Sequence, residues 1–231
     1  MHPFVKGIQK KFQIHANPIL AVGMKAYMLH QFEFLGINTP LRDRLTKEYL
    51  QANPLQNWED LELVMKELWA LPKREFQYFA IDVLKKHKPL WTIHSIHLME
   101  YCICEKSWWD SVDGIASDWL GGYFVQFPTL VPKVPTHWNS SSNIWLQRSS
   151  ILFQKAYKAN TQLALLSQYI LHCKDSKEFF IRKAIGWALR EYSKTNPVWV
   201  RQFVAENALS NLSTREALKV LNREALKKKK G

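Results

Sequence analysis

Cysteine is scarce in this chain of 231 residues: Cys102, Cys104 and Cys173 are the whole complement, without the spacing of a disulfide framework. That excludes a small secreted fold stapled by bridges and points to free thiols in a reducing compartment. Glycine is scarce too, at 8 residues, and the alternating pattern and Asn-Gly turns of β-hairpins are nearly missing. The one Asp-Gly pair, Asp113-Gly114, sits inside a helical pattern. No run approaches the ~18 consecutive apolar residues of a membrane span. Met1 to Lys11 lacks the apolar stretch of a secretory signal, so the expected location is cytoplasmic, with no membrane partner. Acidic residues are in deficit, 20 against 32 Lys and Arg, and the resulting net charge of +12 suits a protein that meets a polyanion.

What is present is a foldable, helical chain. A hydrophobic content of 47% and an aromatic content of 13% exceed what disordered chains carry, and the length can bury a core without staples. Prolines at 18, 40, 54, 72, 89, 128, 132, 135 and 197 mostly fall between periodic segments and punctuate a series of helices. Asn57-x-x-Asp60, Ser107-x-x-Asp110 and Ser213-x-x-Glu216 read as capping boxes, and Thr39-Pro40 as an N-cap followed by proline in the first helical position. Helix starts near Arg74, Val112, Arg148, Lys183 and Arg215 recur at roughly 32 to 38 residues, close to helix-hairpin repeat periods. The expected fold is all-α: helical hairpins stacked into a curved solenoid with a basic concave face, one domain over residues 1–226 and a basic tail over 227–231. The stretch from Pro128 to Ser142 reads as a connection within the stack.

Three segments carry chemistry. In FIRKAIGWALREYSK, Phe180 to Lys194, helical spacing puts Lys183, Trp187, Arg190 and Lys194 on one stripe and Ile181, Ile185, Ala188 and Tyr192 on another. Trp187 therefore lies among cations, either packed on their stems or offering a stacking surface. In SWWDSVD, Trp108 and Val112 share an apolar face with Ile115 and Trp119, while Trp109 and Asp113 form an i, i+4 pair at its edge. Asp113 by itself also fits a solvated helix carboxylate. In NIWLQRSSILFQKAYK, Leu146, Ser150, Phe153 and Tyr157 form one stripe and Trp145, Arg148, Leu152 and Lys155 another. Arg148 suits a phosphate or a helix carboxylate equally. His94, His97, Cys102 and Cys104 have the look of a metal cluster, but the two cysteines would diverge on a helix, so no metal or other cofactor is expected.

These strings, together with the opening MHPFV and FEFLGINTPLR at Phe32 to Arg42, resemble the AlkD family of bacterial DNA alkylation repair glycosylases over nearly the whole chain. The resemblance implies HEAT-like repeats and removal of cationic N3- and N7-alkylated purines from duplex DNA, with the base left largely stacked. It implies a site of Trp109, Asp113 and Trp187 with Arg148 near the DNA backbone. Thr39 and Arg42 become candidate backbone contacts, alongside the cations Lys183, Arg190 and Lys194. Gly114 and the four closing lysines depart from the surroundings that the resemblance implies.

An alkylated purine already carries positive charge, and breaking its glycosidic bond develops oxocarbenium character on the sugar. A carboxylate about 4 Å from that cation contributes about 4 kcal/mol at an effective dielectric of 20, against ~0.5–2 kcal/mol for an aromatic face. Asp113 should dominate, and the enzyme should act as a monomer on duplex DNA. Two other readings compete: a non-catalytic DNA-damage binder on the same scaffold, and a protein-binding repeat scaffold. The carboxylate beside Trp109 weighs against the first, and Trp187 within a Lys/Arg stripe against the second.

Overall fold

The computed structural model describes the backbone of residues 1–228 and the side chains of residues 1–223. Of the expected basic tail, residues 229–231 and the side chains of Lys227 and Lys228 lie outside the described residues. Among the described residues every regular element is helical, and the only pairing of extended backbone is one isolated bridge between Glu33 and Lys73. No described helix is long and apolar enough to cross a membrane. The chain divides into two compact units, Met1–Lys106 and Ser107–Gly231.

The first unit holds α1 (Pro3–Ile14), α2 (Pro18–Tyr27), α3 (Thr39–Ala52), α4 (Trp58–Ala70), α5 (Glu75–Lys86) and α6 (Ser95–Cys104). Asparagine starts three of these helices: Asn17, Asn38 and Asn57 each accept from a backbone N–H of the first turn, with proline in the first turn of α2 and α3. Asn57 does what the sequence predicts, but Thr39 does not. Asn38 takes the cap: its side-chain oxygen accepts from the Leu41 N–H at 3.1 Å, and Thr39 is the first helical residue. Phe4, Phe12, Phe76 and Phe79 form an aromatic core among α1 and α5, with ring centroids 5.6–6.0 Å apart. Gly36, at φ +87°, lets the backbone N–H groups of Leu35, Gly36 and Ile37 converge on the fully buried Glu75 carboxylate at 2.8–3.2 Å.

The second unit holds α7 (Trp109–Gly114), α8 (Gly121–Gln126), α9 (Val134–Asn139), α10 (Ile144–Leu152), α11 (Leu163–Cys173), α12 (Phe179–Ser193), α13 (Pro197–Glu206) and α14 (Asn211–Lys228). Between α7 and α8 the chain widens into a π-helical segment, Ile115–Leu120, that begins directly after Gly114. The stretch read as a plain connection contains α9. Its turn of helix buries Trp138 completely, and Asn139 donates from its amide to Ser150 Oγ at 2.9 Å, so the prolines order this segment without breaking it. Helix starts at Glu75, Trp109, Ile144, Phe179 and Asn211 keep the spacing read from the sequence, each within four residues of the expected place.

Two capping assignments in this unit are corrected. Trp108, not Ser107, occupies the cap position of α7, with extended backbone and no side-chain cap bond. At α14 the Ser210 hydroxyl accepts from the Ser213 N–H at 3.1 Å, so Ser213 is already helical; it is fully buried and donates to the Arg182 carbonyl. The boxed serine was the wrong serine, because Ser210 and Ser213 both precede an apolar run. Helix α12 packs on α14, α10 and α13, and α10 packs on α7, α9 and α11, which brings α7, α10 and α12 around one site.

Candidate functional site

Asp113 and Arg148 meet between α7 and α10. Val112 on α7 and Ile115 directly after it, and Ile151 and Leu152 on α10, are 0–1% exposed and fix both helices by their apolar sides. The remaining edge of each helix then faces the other. Arg148 Nε donates to Asp113 Oδ1 at 2.7 Å and its second terminal nitrogen to Oδ2 at 2.9 Å, while the first reaches the Phe180 carbonyl. Of the two roles open to Arg148 from sequence, the structure contains the carboxylate pair. The pair is withdrawn from water, Arg148 at 4% and Asp113 at 17% side-chain exposure. Asp113 is therefore not a freely solvated helix carboxylate. Its own backbone carbonyl accepts from Ser117 Oγ at 2.7 Å, one turn into the widened segment.

The two candidate indoles stand on α7, which carries Asp113, and on α12, whose Phe180 carbonyl Arg148 reaches. Trp109 and Trp187 are both half-buried, as their edge positions predict. On α12 the apolar stripe of Ile181, Ile185, Ala188 and Tyr192 is buried as read, which leaves Trp187 off the core. Trp108, read as core with Val112, is instead half-buried, and it heads an aromatic cluster with Trp145 at 5.8 Å and Phe180 at 5.3 Å. Phe180 and Trp145 close that cluster at 5.0 Å.

The cation beside Trp187 is one that the sequence reading placed on the Arg148 stripe without giving it a role. Lys155, on the turn after α10, holds its ammonium 3.8 Å from the Trp187 ring centroid. Burial pushes its pKa down; the carboxylates of Asp113, Glu191 and Asp118 pull it back up, and Arg148 lowers it further. The cations expected to line the stripe are engaged elsewhere. Glu216 of α14 takes Lys183 at 2.9 Å and Arg190 at 2.7 Å, and the hydrogen bond from Lys183 is the main reason its carboxyl lies below the usual glutamate range. Lys194 pairs with Glu191 at 2.6 Å on its own helix. Helical spacing places these cations on a stripe but is blind to the carboxylate that α14 supplies to Lys183 and Arg190.

Thr39 and Arg42 belong to the first unit. Thr39 is exposed at the start of α3. Arg42 lies over the Tyr78 ring at 4.6 Å, 3.5 Å from Asp43, with its Nε buried and unpartnered among the described atoms.

Beside Lys155 opens a cavity of about 520 Å³, lined among others by Gln154, Ala188, Glu191 and Tyr192. The site thus offers an aligned carboxylate and half-buried indoles, groups suited to stabilising positive charge. Among the described residues no cluster of His, Cys, Asp or Glu could hold a metal; on α6, Cys102 is buried and Cys104 exposed.

A search of curated proteins returned no match. Among solved structures, one from Enterococcus faecalis described as a predicted DNA alkylation repair enzyme superposes with a TM-score of 0.83 at 35% identity, covering 88% of this chain and 95% of that one. Residues 8–221 match the model of one family, and by that match the chain belongs to the DNA alkylation repair enzymes.

Proposed function

We propose that the protein is a DNA glycosylase that excises cationic N3- and N7-alkylated purines from duplex DNA. Family membership supplies DNA repair as the setting, and the net charge of +12 agrees with a polyanionic substrate. The observation that carries the finer reading is the Asp113 carboxylate, clamped on both oxygens by Arg148 at 2.7 and 2.9 Å, with Trp187 half-buried on the packed helix α12.

Arg148 changes the electrostatics expected of Asp113 alone. A carboxylate about 4 Å from an oxocarbenium sugar attracts it by about 4 kcal/mol at a dielectric of 20, while a guanidinium behind it at about 8 Å repels by about 2 kcal/mol. The net of about 2 kcal/mol corresponds to roughly 30-fold in rate. What Arg148 returns is aim: a bidentate fork fixes the carboxylate plane before the sugar arrives, so no reorganisation is needed during bond breaking. Trp109 and Trp187 add aromatic faces worth ~0.5–2 kcal/mol each. Such modest help suffices for a leaving group that is already cationic.

Incubation with duplex DNA containing N7-methylguanine should release the free base and leave an abasic strand. Binding of that duplex without release would replace this reading with a damage-binding protein.

A further inference from the structure

Among the described residues the Trp187 ring meets no other aromatic ring and its N–H makes no hydrogen bond; its one such partner is the Lys155 ammonium, 3.8 Å from the ring centroid. Other tryptophans of the chain are anchored differently. Trp69 and Trp91 donate their indole N–H to the carbonyls of Glu105 and Leu84 at 2.8 and 3.2 Å, and Trp199 stacks on Phe203 at 4.9 Å. Trp187 is half-buried and off the apolar stripe of α12, so packing leaves its indole a freedom that a core tryptophan lacks.

A pinned turn brings Lys155 to this contact. Phe153 and Gln154 before it are buried. The Gln154 side-chain carbonyl accepts from the Gln162 N–H at 2.7 Å, and Tyr157 donates its hydroxyl to the Gly121 carbonyl at 2.7 Å, so the chain is fixed on both sides of Lys155. Lys155 itself is half-buried and makes no ion pair among the described residues, whereas Lys183 and Lys194 are held by carboxylates at 2.9 and 2.6 Å.

A cation seated on one face of an aromatic ring fixes the ring and leaves the other face open. We propose that Lys155 is a positioning residue of the glycosylase site: its charged ammonium clamps the Trp187 indole from one side, so that the opposite face is presented, already oriented, to the cationic sugar. Only the identity of the cation on that open face rests on the glycosylase reading. Because the ring is set before the substrate arrives, none of its reorganisation falls on bond breaking.

The same ammonium repels a sugar cation across the ring, an effect of opposite sign. Asp113 on α7, Asp118 on the widened segment and Glu191 on α12 place negative charge around it, against one further cation, Arg148 on α10. These carboxylates damp the repulsion, while no other contact among the described residues replaces the clamp. Loss of ring orientation is therefore the larger effect, and removing the charge lowers excision instead of raising it.

The test uses the full chain labelled with 5-fluorotryptophan, in which the Trp187 fluorine resonance is identified by its loss from Trp187→Phe. Lys155→Gln removes the charge, and Lys155→Arg keeps a cation that stacks on aromatic faces. Without DNA, Lys155→Gln should move the Trp187 resonance toward that of free fluorotryptophan, and Lys155→Arg should keep it displaced. Single-turnover release of N7-methylguanine at saturating protein should fall about 3- to 30-fold in Lys155→Gln, the range that such a contact is worth, and recover in Lys155→Arg. Duplex affinity and melting temperature are read alongside. An unmoved resonance in Lys155→Gln, release equal to or faster than wild type, or a loss confined to duplex affinity would each overturn the proposal. If wild type releases no base, the glycosylase reading fails, while a moved resonance still upholds the clamp and an unmoved one still overturns it.

Discussion

Asp113→Asn isolates charge from shape, but the buried Arg148 makes its consequence double. Without the carboxylate the guanidinium keeps repelling the sugar cation, so the transition state loses the whole attraction of about 4 kcal/mol, an expected fall of about 10²–10³ in single-turnover excision. The same change leaves a 4%-exposed arginine without its counter-charge, at a cost of about 3 kcal/mol in stability. Combining it with Arg148→Met should recover much of that stability and little of the activity; chemical denaturation and single-turnover kinetics read the two separately. Equal excision by Asp113→Asn and wild type would remove Asp113 from its role. Trp187→Ala should behave oppositely: it is half-buried and off the apolar stripe, so excision should drop by ~10-fold or more while stability changes by about 1 kcal/mol, the loss of the Lys155 contact. A loss of several kcal/mol would mark it as a packing residue.

Among the elements, the contact of α12 with α14 sets how the cationic stripe is presented. Gly186 permits it: a Cβ there would lie 2.8 Å from the Ser213 carbonyl oxygen and 2.5 Å from Glu216 Cβ. Since Ser213 is fully buried backbone that cannot yield cheaply, Gly186→Ala should destabilise by about 1–3 kcal/mol, visible as a lowered melting temperature. Glu216 is the acidic member of this contact. Because its pKa is lowered on folding, chiefly by the Lys183 hydrogen bond, its stabilising contribution is present at neutral pH and is lost as the pH falls below the ordinary glutamate range. Glu216→Gln should flatten that acid limb of the stability curve. If Lys183 and Arg190 face phosphate, the same variant should also bind duplex DNA more tightly, with a salt dependence steeper by up to about one unit per freed cation. An unchanged salt slope would assign both cations to the helix contact alone.

Much at this scale was legible in the sequence. The split of α12 into a buried apolar stripe and an outer one holding Trp187 follows from helical spacing, and so does the Trp109/Asp113 edge. The Asp113–Arg148 pair was half legible, since spacing gave each residue its helix edge but could not say that α7 and α10 turn those edges toward each other. Lys155 was placed on the Arg148 stripe but given no role, because spacing along one helix cannot show that its ammonium meets Trp187 of α12. At Thr39 and Ser213 a neighbouring capping residue, Asn38 or Ser210, took the role, whereas at α7 the backbone put Trp108, which has no capping side chain, in the cap position.

For the molecule as a whole, the account joins a basic helical chain of the DNA alkylation repair family to a site that offers only modest stabilisation of a cation. Modest stabilisation has a sharp consequence, because it selects substrates by the charge they already carry. The most direct measurement compares single-turnover base release from two duplexes of one sequence, one with N7-methylguanine, which is cationic, and one with O6-methylguanine, which is neutral. The account predicts release of the cationic base and none of the neutral one, with both duplexes bound. Release of both at similar rates, or of neither, would contradict it.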